Sequence, residues 1–124
     1  NYHMQKMTIN FPKDVDDNYY CRDEVFEHLK KIPEITLVSG GYGNLEFTKA
    51  GVDKGVALHK LAQILNIAAD ETMAVGDTDM AIVKAAHIGV AMGNATDELK
   101  AQADYVTDTN ENDGVAKAIR HFMG

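Results

Sequence analysis

Residues 73–83 read Met-Ala-Val-Gly-Asp-Thr-Asp-Met-Ala-Ile-Val, and the fold turns on how this stretch is parsed. Thr72 to Val75 reads as a short buried strand, Gly76 lets the chain turn, and Asp79 to Ala86 reads as a helix. Asp77 and Asp79 are left at the turn, two residues apart. In an open parallel sheet this is where ligands gather, beyond the carboxyl ends of the strands.

The same rhythm extends to both sides. Lys54 to Asn66 carries Ala57, Leu61, Ile64 and Leu65 on one face, the predicted stripe of a helix packed on a sheet. Ile88 to Met92 is a second continuous apolar strand, followed by Asn94 as the predicted N-cap of a helix to about Ala103. Tyr105-Val106 forms a third strand. Asn110 or Asn112 is then placed to cap a last helix with Val115, Ile119 and Phe122 on its inner face. Strand and helix in alternation predict parallel strands and a doubly wound α/β architecture.

Before residue 50 the pattern is different. Met4 to Asn10 can alternate as an extended segment ended by Phe11-Pro12, and Asp23 to Lys31 reads as a helix with Val25, Leu29 and Ile32 at helical spacing. Ile35 to Ser39 and Leu45 to Thr48 read as a hairpin joined by Gly40-Gly41-Tyr42-Gly43-Asn44. A strand rather than a helix follows those glycines, so they supply a turn and not a phosphate cradle. The chain therefore divides into an α+β piece, residues 1–50, and an α/β piece, residues 51–124. Three parallel strands make a thin sheet, so neither piece reads as complete.

Composition bounds the function. The 124 residues, 45% hydrophobic and 25% charged, support a packed core of ordinary domain size. A formal charge of −7 argues against nonspecific nucleic-acid or anionic-membrane binding, which needs clustered Lys and Arg. Small molecules are the expected partners. No apolar stretch has spanning length and no signal-peptide pattern is present, so a cytoplasmic protein is expected. Cys21 is the one cysteine, which excludes an internal disulfide. It has no glycine turn or nearby base to make it a nucleophile, and no histidines stand at ligand spacing.

The strand-end loops hold the residues suited to chemistry. They bring Asp77, then Gly93-Asn94, then Thr107 to Asn110 to one rim, with Lys54 the one positive charge expected to reach it. A carboxylate, a lysine and amides suit a phosphate held with a hard divalent ion, and Mg²⁺ is the natural choice. Lys54 would act as a point charge on phosphate oxygens, and Asn94 would contact the same group. Each has a plainer alternative: Asp79 as a cap of the helix Met80 to Ala86, Asn94 as an ordinary N-cap, Lys54 as a solvated side chain.

At these residues a family pattern emerges. VDKGVAL at 52–58, AVGD at 74–77, IGVAMGNATDELKAQADYV at 88–106 and TNENDGV at 109–115 together resemble the C-terminal half of a haloacid dehalogenase superfamily hydrolase of the Cof-type phosphatases. The resemblance implies a Rossmannoid core over residues 51–124 and the end of an α+β cap over residues 1–50, with NLEFTKAGVDKG as the return from cap to core. It implies hydrolysis of a phosphomonoester, a sugar phosphate or phosphorylated cofactor, through an aspartyl-phosphate with Mg²⁺ shielding the charge. Lys54 matches the lysine that steadies the phosphoryl group, and Asp77 matches the Mg²⁺-binding acid. Asp79 matches the second metal-binding acid only across a two-residue deletion, and that motif's Asn has no counterpart.

The larger departure is the nucleophile. The family places it on an upstream apolar strand ending in Asp-x-Asp, and no stretch here fits; Asp14-Val15-Asp16-Asp17 follows Phe11-Pro12-Lys13 instead of a buried strand. The chain alone is thus expected to be inactive as a phosphatase. Without the strand that neighbours the one before Asp77, an unpaired sheet edge is expected to promote self-association. A noncatalytic binding or scaffold module, and the phosphorylation domain of an ion-pumping ATPase, are the alternative readings.

Overall fold

A computed structural model describes residues 5–38 and 43–124. The chain divides into two compact units, residues 1–53 and 54–124.

In the first unit, β1 (Met7–Asn10), α1 (Arg22–Leu29), β2 (Ile35–Val38) and β3 (Asn44–Lys49) follow in order. The strands form an antiparallel sheet of order β1-β3-β2, with Met7 opposite Phe47, Ile9 opposite Leu45 and Leu37 opposite Phe47. Side chains alternate across a strand, so this register puts Met7, Ile9, Ile35, Leu37, Leu45 and Phe47 on one face. Thr8, Glu46 and Thr48 occupy the other, where Lys6 pairs with Glu46 at 3.0 Å. Among the described residues Leu45 is the unit's one buried hydrophobic. Pairing of β2 with β3 agrees with the expected hairpin, although most of its glycine link lies outside the described residues. So do His3 and Met4.

The acidic run after β1 has a local explanation. Asp14 Oδ1 accepts the N–H groups of Asp16 and Asn18, each at 2.9 Å, within a loop closed by a bridge between Lys13 and Tyr19. A carboxylate folded back on its own turn in this way is a turn-former.

The second unit contains α2 (Lys54–Leu65), β4 (Met73–Gly76), α3 (Met80–Ala85), β5 (Ile88–Ala91), α4 (Asp97–Gln102), β6 (Tyr105–Val106) and α5 (Gly114–Met123). Its sheet is parallel, order β4-β5-β6, with Met73 opposite Ile88 and Val90 opposite Tyr105. The core gathers Val83 of α3, Ala91 and Met92 at the end of β5, Ala95, and Leu99 of α4, with Val75 and Met80 packed against it. Gly89 makes the return into β5 possible, because a Cβ there would strike the Val83 carbonyl. Among the described residues β4 has a partner on one side only, and no helix is long and apolar enough to cross a membrane.

The helix faces differ from those predicted. On α2, Gly55 and Ala62 are buried, whereas Leu61, Ile64 and Leu65 are exposed, Ile64 by 78%. On α5, Gly114 and Ala118 are buried, while Val115 and Ile119 are exposed. Phe122 does rest edge-on against Tyr105, ring centroids 5.4 Å apart. Each helix carries two candidate stripes, one of small residues and one of large. Close packing selects the small one, since Gly55 allows α2 to approach α3 within backbone distance.

Candidate active site

β4 ends at Gly76 and α3 begins at Met80, so Asp77, Thr78 and Asp79 make up the whole turn. The turn is sewn to the loop after β5: the Gly76 carbonyl accepts the Met92 N–H at 2.8 Å and the Asp77 carbonyl accepts that of Thr96 at 3.3 Å. Such anchoring fixes Asp77 on the strand-end rim.

Lys54 and Asp79, 25 positions apart, meet there: Lys54 Nζ donates to Asp79 Oδ2 at 2.5 Å. Helix packing makes this contact possible. Lys54 opens α2 and Asp79 precedes α3, and the two helices touch where a Cβ on Gly55 would lie 2.6 Å from the Ala81 carbonyl oxygen and 2.9 Å from Ala85 Cβ. A side chain at residue 55 would hold the helices apart and draw the lysine away with them. Asp79 occupies the N-cap position of α3, yet its side chain makes no capping hydrogen bond. The capping alternative for Asp79 therefore gives way to an ion pair.

Asp77 is exposed, and among the described residues its carboxylate receives one hydrogen bond, from Thr78 Oγ1 at 3.4 Å. No cation of the described chain pairs with it. The described residues hold no cluster of three or more His, Cys, Asp or Glu able to bind a metal. Mg²⁺ commonly takes only one or two protein carboxylates and fills its octahedron with phosphate and water, so Asp77 fits as a ligand. Asp79 already shares Oδ2 with Lys54.

Asn94 is exposed at the end of β5, but not as the N-cap of α4. Thr96 takes that position, with extended backbone angles and Oγ1 accepting the Leu99 N–H at 3.3 Å. Asn94 lies too far before the first helical residue, Asp97, and its Oδ1 instead accepts the Asn110 N–H at 3.0 Å. Nor do Asn110 and Asn112 cap the last helix. They belong to a 3-10 turn, Asn110–Asn112, and the N-cap position of α5 falls to Asp113, which has left-handed backbone angles and makes no side-chain cap bond.

One residue of this rim is not singled out by the sequence. Asp108 accepts hydrogen bonds from Lys117 Nζ at 2.6 Å, the Thr109 N–H at 2.8 Å and Asn112 Nδ2 at 3.3 Å. The Lys117 bond first, then those from Thr109 and Asn112, hold its carboxyl below the ordinary aspartate range. Beside it Thr107, buried, donates Oγ1–H to the Gly114 carbonyl at 2.7 Å. The only sequence signal for Asp108 is its place in the strand-end loop 107–110.

The family model described as haloacid dehalogenase-like hydrolase matches residues 3–119. The chain belongs to that family. This haloacid dehalogenase-like chain is 44% identical over 117 residues to the 5-amino-6-(5-phospho-D-ribitylamino)uracil phosphatase YcsE of Bacillus subtilis, a match covering 93% of this chain and 47% of that protein. A haloacid dehalogenase-like hydrolase from Bacillus subtilis superposes with a TM-score of 0.83 at 36% identity, over 96% of this chain and 41% of that one. A sugar phosphatase of HAD subclass IIB superposes with a TM-score of 0.79 at 31% identity, over 95% of this chain and 43% of that one. The haloacid dehalogenase-like chain thus spans less than half the length of these relatives. Its family and its α/β class agree with the resemblance carried by the strand-end motifs.

Proposed function

We propose that this chain carries the acidic turn, the lysine and part of the phosphate cradle of a Mg²⁺-dependent phosphomonoester hydrolase. On this reading residues 1–50 are the end of an α+β cap, residues 51–124 are the C-terminal part of the core, and the nucleophile lies outside this sequence. The carrying observation is the Lys54–Asp79 pair, which sets a cation on the same turn as the available carboxylate of Asp77.

Each residue then has a role set by its surroundings. Asp77 would hold Mg²⁺, with Asp79 as a second acid only if it releases Lys54. When bound, the ion would screen the phosphoryl charge as a Lewis acid. Lys54 is held by Asp79 on the rim, so its ammonium can turn from carboxylate to phosphoryl oxygen without a large movement. Asn94, with its oxygen occupied by Asn110, has its amide protons to donate. The upstream aspartate would form the aspartyl-phosphate that the family resemblance implies. Substrate classes suggested by the relatives' names are a phosphorylated ribitylaminouracil and sugar phosphates. A cytoplasmic location suits either.

The test is hydrolysis of p-nitrophenyl phosphate by the chain alone with and without Mg²⁺. No turnover above buffer is expected. Mg²⁺-dependent turnover that disappears in Asp77→Ala would overturn the placement of the nucleophile outside the sequence. The Lys54–Asp79 pair also favours a second reading, a noncatalytic binding module whose shortened acidic turn is closed by its own lysine. Calorimetry distinguishes it: a noncatalytic module shows neither Mg²⁺ nor phosphate binding even when an N-terminal fragment is supplied.

A further inference from the structure

The loop after β6 carries a cluster to which the proposed chemistry gives no role. One oxygen of Asp108 takes the Thr109 N–H and the Asn112 side chain, and the other takes Lys117 of α5. A single carboxylate therefore ties its own turn, the 3-10 turn at 110–112 and the last helix together. The main chain of the same residue faces the loop after β5, where its carbonyl accepts the Gly93 N–H at 3.0 Å. No side chain separates the loops: a Cβ on Gly93 would lie 2.8 Å from the Thr109 nitrogen, and one on Gly114 would strike the Asp108 carbonyl. Asn110, inside this frame, donates its N–H to Asn94 Oδ1.

The arrangement gives Asn94 a direction. A carboxamide has an acceptor end and a donor end, and the Asn110 amide holds the acceptor end toward its own turn, which directs Nδ2 away from that turn as a donor. Such an end suits an anion and disfavours a cation. We propose that Asp108 is a positioning residue for the phosphate subsite: through Lys117 and Asn112 it holds the 109–112 turn in the shape that keeps Asn94 a donor. The inference rests on the reading of Asn94 as a phosphate contact. The lowered carboxyl of Asp108 agrees with it, because the hydrogen bonds that pin the turn, Lys117 first and then Thr109 and Asn112, are the ones that favour its charged form.

The experiment uses the ¹⁵N-labelled chain without ligand, comparing wild type with Asp108→Ala, Asp108→Asn and Lys117→Met. It reads the Asn94 side-chain amide resonances and hydrogen exchange at the Asn110 amide, with the Leu99 amide as a monitor of the fold. Asp108→Ala is expected to speed Asn110 exchange about tenfold and to shift the Asn94 pair while Leu99 keeps its protection, as for a local opening. Asp108→Asn, which keeps an acceptor for the Thr109 N–H, is expected to restore part of both signals. Lys117→Met leaves the carboxylate in place, so it reports even if the Asp108 variants fail to fold. Unchanged Asn94 and Asn110 signals in both Asp108→Ala and Lys117→Met would overturn the proposal. A separate titration with inorganic phosphate and Mg²⁺ isolates the underlying reading. A wild-type Asn94 pair indifferent to phosphate contradicts the phosphate role and, with it, this subsite. A phosphate response undiminished in Asp108→Ala contradicts the positioning role alone.

Discussion

Lys54 reaches Asp79 because the residue after it is glycine. The pair is partly exposed, so Lys54→Met is expected to cost no more than about 1 kcal/mol of stability, read from urea unfolding. Its larger effect should be on phosphate affinity. Asp77→Asn is expected to weaken Mg²⁺ binding at least tenfold by calorimetry, by about 1.4 kcal/mol, with little change in stability because its carboxylate supports one long hydrogen bond. Asp108 behaves differently with pH. Its folded carboxyl lies below the ordinary range, so it stabilises the fold above the unfolded value of about 3.9, and that stability is lost as pH falls through the lower folded value. Urea midpoints of wild type and Asp108→Asn should therefore differ at pH 7 and converge in strong acid. Asp77 and Lys54 were visible as candidates in the sequence because each stands in a motif with a glycine beside it. Asp108 was not, because its side-chain partners lie four and nine positions along the chain, in no periodic relation.

Helices were legible as elements and illegible as surfaces. The predicted strands and helices near residues 54, 73, 80, 88, 97, 105 and 114 all form, with boundaries shifted by a residue or two. Hydrophobic spacing chose the wrong inner face on α2 because it weights large residues, whereas a close helix crossing selects small ones. Gly55→Val tests this directly. Overpacking against the Ala81 carbonyl is expected to cost about 1–3 kcal/mol and to separate Lys54 from Asp79. Leu99→Ala, at one of the largest fully buried side chains, should cost about 2–5 kcal/mol. If Gly55→Val matched the wild-type urea midpoint, the helix crossing described here would be wrong. Caps were misread for a related reason. Asn94 and Asn112 have cap chemistry, but the Asn94 oxygen joins two loops and the Asn112 amide closes its own loop onto Asp108, contacts that sequence spacing does not reveal.

For the molecule as a whole, the family was legible because motifs spread over residues 52–115 agree with one another, which no single motif could secure. The substrate was not, since the first unit offers one sheet and one helix among its described residues and the chain matches a part of longer relatives. β4 has an open edge among the described residues, and Leu61, Ile64 and Leu65 face solvent, so the isolated chain is expected to self-associate. Light scattering that finds a cooperatively folding monomer would contradict this. The most direct test of the central claim completes the active site by placing the N-terminal part of the Bacillus subtilis relative ahead of Asn1 and assaying Mg²⁺-dependent phosphomonoester hydrolysis. Turnover that is abolished by Asp77→Ala is expected; a soluble, folded fusion that shows none, or one indifferent to Asp77→Ala, would contradict the role proposed for the acidic turn.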